Sequence, residues 1–198
     1  MKMADRRFPA TLGSLIAAGQ IAPSRNPAVA LRPPLKRKVF VSYHHDSDQT
    51  YYDTFSRLFV DQWGVVTDNS LERFIDSDDS DYVMRRIREN YIIGTSCTIV
   101  LCGRDTPERK YVDWEIKASL DDAHGLLGIA LPTARRTSDQ KVIVPGRLLD
   151  NWTSGFAAWT YWGSLIANPS DLTSLIDNAV GRRPGLIINS RALRRRNG

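Results

Sequence analysis

A doubly wound α/β domain built on a mainly parallel sheet is the fold class the sequence predicts, on three observations. Short apolar runs, Val39-Phe40-Val41-Ser42-Tyr43, Val65-Val66, Thr98-Ile99-Val100-Leu101-Cys102 and Leu127-Gly128-Ile129-Ala130-Leu131, alternate with segments whose apolar positions recur at helical spacing. The runs lack a polar face, as strands covered on both sides do. The resulting β-α-β-α-β-α-β order calls for crossover connections, hence parallel strands with helices on both faces.

The first run opens the domain. From Asp48 to Trp63 the positions Tyr52, Phe55, Leu58, Phe59 and Trp63 mark a helix that Asp46, Ser47 or Asp48 can cap. After Val65-Val66, the acidic and serine-rich Asp68–Asp81 stretch is an exposed connection, and Val83, Ile87 and Tyr91 place a second helix over Tyr82–Tyr91. Thr98–Cys102 is the clearest strand, punctuated by Gly103. A third helix follows over Tyr111–His124, with Val112, Ile116, Ser119 and Leu120 as its apolar stripe and Gly125 as its stop. Beyond Pro132 the pattern weakens: Val142-Ile143-Val144 reads as a further strand, and Trp152, Trp159, Tyr161 and Trp162 crowd a stretch with no clear period, where such aromatics more often pack than bind. Pro169-Ser170-Asp171 caps a last helix through Leu172, Leu175, Ile176 and Ala179.

These elements divide the 198 residues into a flexible, proline-rich arm or linker over 1–35, a domain over 36–181 and a basic tail over 182–198. A hydrophobic share of 42% and a charged share of 25% are those of a globular chain that buries its own core. No apolar run approaches the roughly 20 residues that cross a bilayer, and the short, interrupted Leu12–Ala18 patch argues against a secretory signal. A cytoplasmic protein without membrane partners is the expectation. Cys97 and Cys102 fall on opposite faces of one strand and read as core thiols. His44, His45 and His124 lack metal-site spacing, so no metal is expected. The net charge of +5 is concentrated at the two ends; without an aromatic or helical recognition pattern it reads as solvated tail rather than as a nucleic-acid surface.

In open α/β sheets ligands bind beyond the carboxyl ends of the strands, at the switch point that flavodoxin-like strand order puts between the first and third strands. Two loops flank it: Ser42-Tyr43-His44-His45-Asp46-Ser47-Asp48, and Gly103–Arg109 with the helical turn that follows. Glu115 lies early on that helix. A preorganised carboxylate there stabilises an oxocarbenium ion while nicotinamide leaves a ribose as a neutral group; its bland alternative, shared with Asp113, is an acid that complements the helix dipole.

The strand Val39–His44, the strand Thr98–Cys102 with Gly103, and above all Arg109-Lys110-Tyr111-Val112-Asp113-Trp114-Glu115-Ile116 occur in an order and spacing that resembles the TIR-like proteins of bacterial Thoeris anti-phage defence, over roughly Lys38 to Leu131. The resemblance implies a TIR-like, flavodoxin-like fold, NAD⁺ as substrate rather than prosthetic group, and its cleavage or cyclisation into an ADP-ribose-derived signal. It also implies self-association and a separate effector protein that senses the product. Glu115 matches the family's catalytic glutamate. Of the binding candidates, Tyr43 or His44 would stack on a ring, Ser42 would hydrogen-bond the ribose, Arg109 would meet the diphosphate, and Trp114 would accompany Glu115. Each has a structural alternative: a buried strand end for Ser42 and Tyr43, an exposed charge for Arg109. Many TIR domains place a tryptophan several residues before the glutamate, whereas Trp114 adjoins it. The competing function is a non-catalytic TIR-like interaction module.

Overall fold

A computed structural model describes residues 37–59, 64–66 and 79–197 of the chain. The expected arm over 1–35 and most of the acidic 68–81 connection lie outside the described residues. Five parallel strands, β1 (Lys38–Ser42), β2 (Gly64–Val66), β3 (Cys97–Cys102), β4 (Gly125–Ala130) and β5 (Ala158–Tyr161), form one sheet in the order β2-β1-β3-β4-β5. The doubly wound, flavodoxin-like reading holds, and the order reverses between β1 and β3 as expected.

Alternation along the strands assigns the two faces. Val39, Val41, Ile99, Leu101, Leu127 and Ile129 point to a cluster shared with α1 (His45–Phe59), α5 (Trp162–Ala167) and α6 (Asp171–Val180). On the other face, Phe40 packs with α2 (Ser80–Ile87) and α3 (Lys110–Asp121), and Val100, Cys102 and Leu126 pack with α3 and α4 (Gly146–Thr153). Cys97 and Cys102 sit in different clusters as buried thiols, as their odd spacing requires.

Several boundaries differ from the sequence reading for local reasons. The first helix starts at His45, and Ser47 meets the His44 ring (Oγ to Nδ1 2.6 Å). The second helix is opened by Asp79, which accepts the Asp81 and Tyr82 amides at 3.0 and 3.1 Å, and runs into a π turn at Arg88–Ile92 that seats Tyr91 against Phe40. Gly125 does not stop the third helix: Ala123 takes the left-handed turn, and Gly125 opens β4, where a Cβ would meet the Val180 nitrogen at 2.8 Å. Val142–Val144 is not a strand; the segment makes one isolated bridge, Arg136 to Val142, and the fifth strand comes from the aromatic stretch instead. Gly128 on β4 leaves the space that the Trp159 ring occupies. Ser170 stands at the start of α6 without a side-chain capping bond.

The largest departure is at the carboxyl end. Residues 187–197, expected as solvated tail, form an extended strap along α3 and α4: Ile187 joins the apolar cluster beneath α4, Leu193 the one beneath α2, and Trp114 Nε1 donates to the Arg194 carbonyl at 2.8 Å. The reason is a buried cation on α4, Arg147, whose guanidinium gathers strap carbonyls.

Candidate active site

Parallel pairing of β1 with β3, Phe40 beside Thr98 and Ser42 beside Val100, brings the ends of these strands together. Ser42 ends β1, and Tyr43 and His44 begin the connection that leaves it; all three are buried. Ser42 Oγ has no hydrogen-bond partner, and neither has His44 Nε2, whose nearest ionic neighbour is Asp46 Oδ2 at 3.7 Å. Tyr43 is held by its surroundings: its ring stacks on Tyr52 at 4.6 Å and its hydroxyl donates to Gln49 Oε1 at 2.9 Å.

The loop that leaves β3 is tied to α1 by Asp48, which the sequence offered only as a cap of the first helix and which instead lies inside it. Asp48 is fully buried, one turn into α1 (N to His44 O 2.9 Å), and its carboxylate reaches across to the β3 exit. Thr106 Oγ1 accepts the Gly103 N–H at 2.9 Å and lies 3.0 Å from Asp48 Oδ2 and 3.2 Å from the Leu101 carbonyl. A Cβ on residue 103 would fall 2.1 Å from Asp48 Oδ1, so the close approach needs glycine. Burial raises the Asp48 pKa; the Thr106 hydroxyl and His44 pull against it, and Asp105 adds to it. A legible signal existed: Asp48 shares its helical stripe with Phe55 and Phe59, and an acid on an apolar face asks for a partner.

The same β3 exit delivers α3. Ser119 hydrogen-bonds Thr98 of β3 (Oγ to Oγ1 2.6 Å), which fixes one side of α3 against the sheet. Glu115 precedes Ser119 by one turn on that side and is 7% exposed. It therefore lies between helix and sheet, nearer the carboxyl ends of the strands than Ser119, on the face to which Phe40 and Ser42 alternate. Arg109 stands immediately before α3 with its Nε buried and unpartnered.

Trp114, expected beside the dinucleotide, is instead built into the fold. Its ring packs edge-on against Tyr111 and its N–H is taken by the strap. Helical geometry explains this, since adjacent residues point about 100° apart and Trp114 cannot share the Glu115 direction. Ser42 and Glu115 thus share the face of the sheet that Phe40 occupies, Tyr43 turns with Val41 to the α1 cluster on the other face, His44 and Arg109 sit on the connections that follow β1 and β3, and Trp114 is turned to another side of α3.

The aromatic stretch forms a second concavity at the far edge of the sheet, a cleft of about 600 Å³ lined by Val142, Leu149, Trp152, Trp159 and Tyr161 among others. Among the described residues, no group of three or more His, Cys, Asp or Glu side chains is arranged to hold a metal ion, and no helix is long and apolar enough to cross a membrane.

A family model described as the TIR-like domain of Thoeris protein ThsB matches residues 40–136, which run from β1 past β4 and contain Ser42, Asp48, Arg109 and Glu115. No curated protein matches the chain.

Proposed function

We propose, from the match of residues 40–136 to the TIR-like domain of Thoeris protein ThsB, that the chain is a defence-related TIR-like protein that cleaves the nicotinamide–ribose bond of NAD⁺ and converts the remainder into a cyclic or conjugated ADP-ribose signal for a separate effector protein. The observation that carries this reading is the buried carboxyl group of Glu115 between α3 and the sheet, beside the exits of β1 and β3. Nicotinamide leaves as a neutral molecule, so the reaction needs little acid help; it needs negative charge set where the ribose becomes an oxocarbenium ion. A carboxylate held between packed elements is preorganised for that task and keeps bulk water from screening it. Ser42 and His44, with unpartnered polar atoms at the same strand exits, are the groups we assign to the ribose and its ring substituents. Arg109, at the start of α3, is assigned to the diphosphate.

Purified protein incubated with NAD⁺ is expected to release nicotinamide, and Glu115→Gln to stop it while the near-UV circular dichroism stays that of wild type. Assays at high protein concentration, and with lysate of infected cells, cover a requirement for self-association or for a trigger. Turnover by the Gln variant equal to wild type would remove Glu115 from the chemistry.

A non-catalytic interaction module is the second reading, favoured by one feature: Leu149, Trp152 and Tyr161 are each more than 40% exposed along one aromatic cleft. Absence of NAD⁺ cleavage under all of those conditions, together with concentration-dependent association lost in Trp152→Ala, would select it.

A further inference from the structure

The strap along α3 engages that helix at a regular set of positions. Asn189 Nδ2 lies 3.2 Å from the Lys117 carbonyl and 2.8 Å from Asp121 Oδ1. Arg194 donates its N–H to Asp113 Oδ2 at 3.0 Å and accepts the Trp114 indole N–H at 2.8 Å. Asn197 Oδ1 takes the free N–H of Lys110, at 2.9 Å. Positions 110, 113, 114, 117 and 121 form one stripe of an α-helix, and the strap contacts them in descending order as it ascends in sequence, so it runs antiparallel to α3. Residues 115 and 119 belong to the opposite side of that helix, where Ser119 meets Thr98 of the sheet.

The strap is in turn fastened from behind. Arg147, with no exposed surface, donates to Asp113 through Nε (3.0 Å) and Nη2 (3.3 Å), to Asn189 Oδ1 (2.8 Å), and to the carbonyls of Arg191 (2.9 Å) and Ala192 (3.3 Å). Asn151 completes the fastening, donating to the Ile188 carbonyl at 2.8 Å and accepting the Ile188 N–H at 3.0 Å. Such a network holds α3 along its axis and about it, which apolar contacts alone do loosely because they lack direction.

We propose that residues 187–197 are a positioning clamp that presses α3 onto the sheet and sets the place of Glu115, so that this segment is a working part of the site. The clamp follows from contacts to the stripe opposite Glu115. Its consequence for turnover rests on the NAD⁺-cleaving reading, and the experiment separates the two.

Asn189→Ala removes the side-chain bonds to Lys117, Asp121 and Arg147, and Trp114→Phe removes the indole N–H together with part of the bicyclic ring while keeping an aromatic ring in the core. Hydrogen exchange of the full-length protein is expected to speed up by at least about tenfold in the amides of α3 and to stay unchanged in β3 and β4. Nicotinamide release from NAD⁺ is expected to fall by an order of magnitude or more in kcat with little change in KM, since displacements of about 1 Å at a reacting group cost on the order of a hundredfold. Should Asn189→Ala loosen the whole protein, Asn197→Ala, which takes away one bond at Lys110, gives the same comparison in milder form. Unchanged protection of α3 in these variants would overturn the clamp, and so would faster exchange in α3 with full turnover. If wild type releases no nicotinamide, the enzyme reading is what fails, and the exchange pattern still decides whether the strap clamps α3.

Discussion

Arg147 of α4 and Asp113 of α3 meet in the interior, Nε to Oδ1 at 3.0 Å and Nη2 to Oδ2 at 3.3 Å, with the guanidinium entirely out of water. A buried pair of this kind contributes little over an apolar substitute of the same shape, but removing one partner leaves an unpaired charge inside. Arg147→Ala would strand the Asp113 carboxylate and unpair the strap carbonyls at once. We expect a loss of about 3–5 kcal/mol in urea unfolding, and a smaller further loss when Asp113→Asn is added, because the second substitution removes the stranded charge. Equal and additive losses would mean that the two residues are not coupled.

Gly103 and Asp48 are fitted to one another at the exit of β3. Gly103→Ala would put a methyl group 2.1 Å from Asp48 Oδ1, and we expect it to destabilise by about 1–3 kcal/mol, as overpacking does. Asp48→Ala in the same chain relieves the clash, so the double variant should lie above the sum of the singles in a thermal-unfolding cycle. Simple additivity would show that the loop yields elsewhere.

How much of this was legible in the sequence depends on range. The strands at Val39–Ser42 and Thr98–Cys102, and the placement of Glu115 near their exits, follow from local patterns, because a strand buried on both faces and a helix with an apolar stripe declare themselves within a few residues. The strap does not. Its arginines and asparagines look like a solvated tail, and what recruits them is Arg147, 44 and 45 positions away from the carbonyls of Arg191 and Ala192 that it binds. No periodicity announces a pairing between a lone arginine and backbone oxygens so distant. Asp48 stands between these cases: its place on the stripe of Phe55 and Phe59 was visible, yet its partner Thr106 lies 58 residues on.

Burial lifts the Cys97 thiol to about 12 and raises that of Cys102 as well. Thiolate, the reactive form, is therefore scarce for both in the native state, and reagents cannot reach either side chain. Ellman's reagent at pH 8 should find no rapidly reacting thiol in folded protein and two after denaturation. A fast stoichiometric reaction before unfolding would show that β3 opens locally.

Asp48 ties stability to pH with a definite sign. Its carboxyl group is harder to ionise in the folded chain than in the unfolded one, first because it is buried and second because Asp105 is near, while Thr106, His44 and Thr133 offset part of this. A group whose folded pKa is raised binds its proton more tightly in the native state, so its stabilisation is complete below the unfolded value of about 3.9 and is lost as pH rises through the folded value. Glu108 acts in the opposite sense: its Arg135 partner holds its pKa down, and stability from it is lost as pH falls. Comparing variants isolates the Asp48 part. Asp48→Asn cannot ionise, so its advantage over wild type should be small near pH 4 and grow through the range where buried Asp48 loses its proton. Unfolding free energies of the two proteins that run parallel from pH 4 to pH 8 would show that Asp48 titrates alike in both states and that water reaches its carboxyl group in the folded chain.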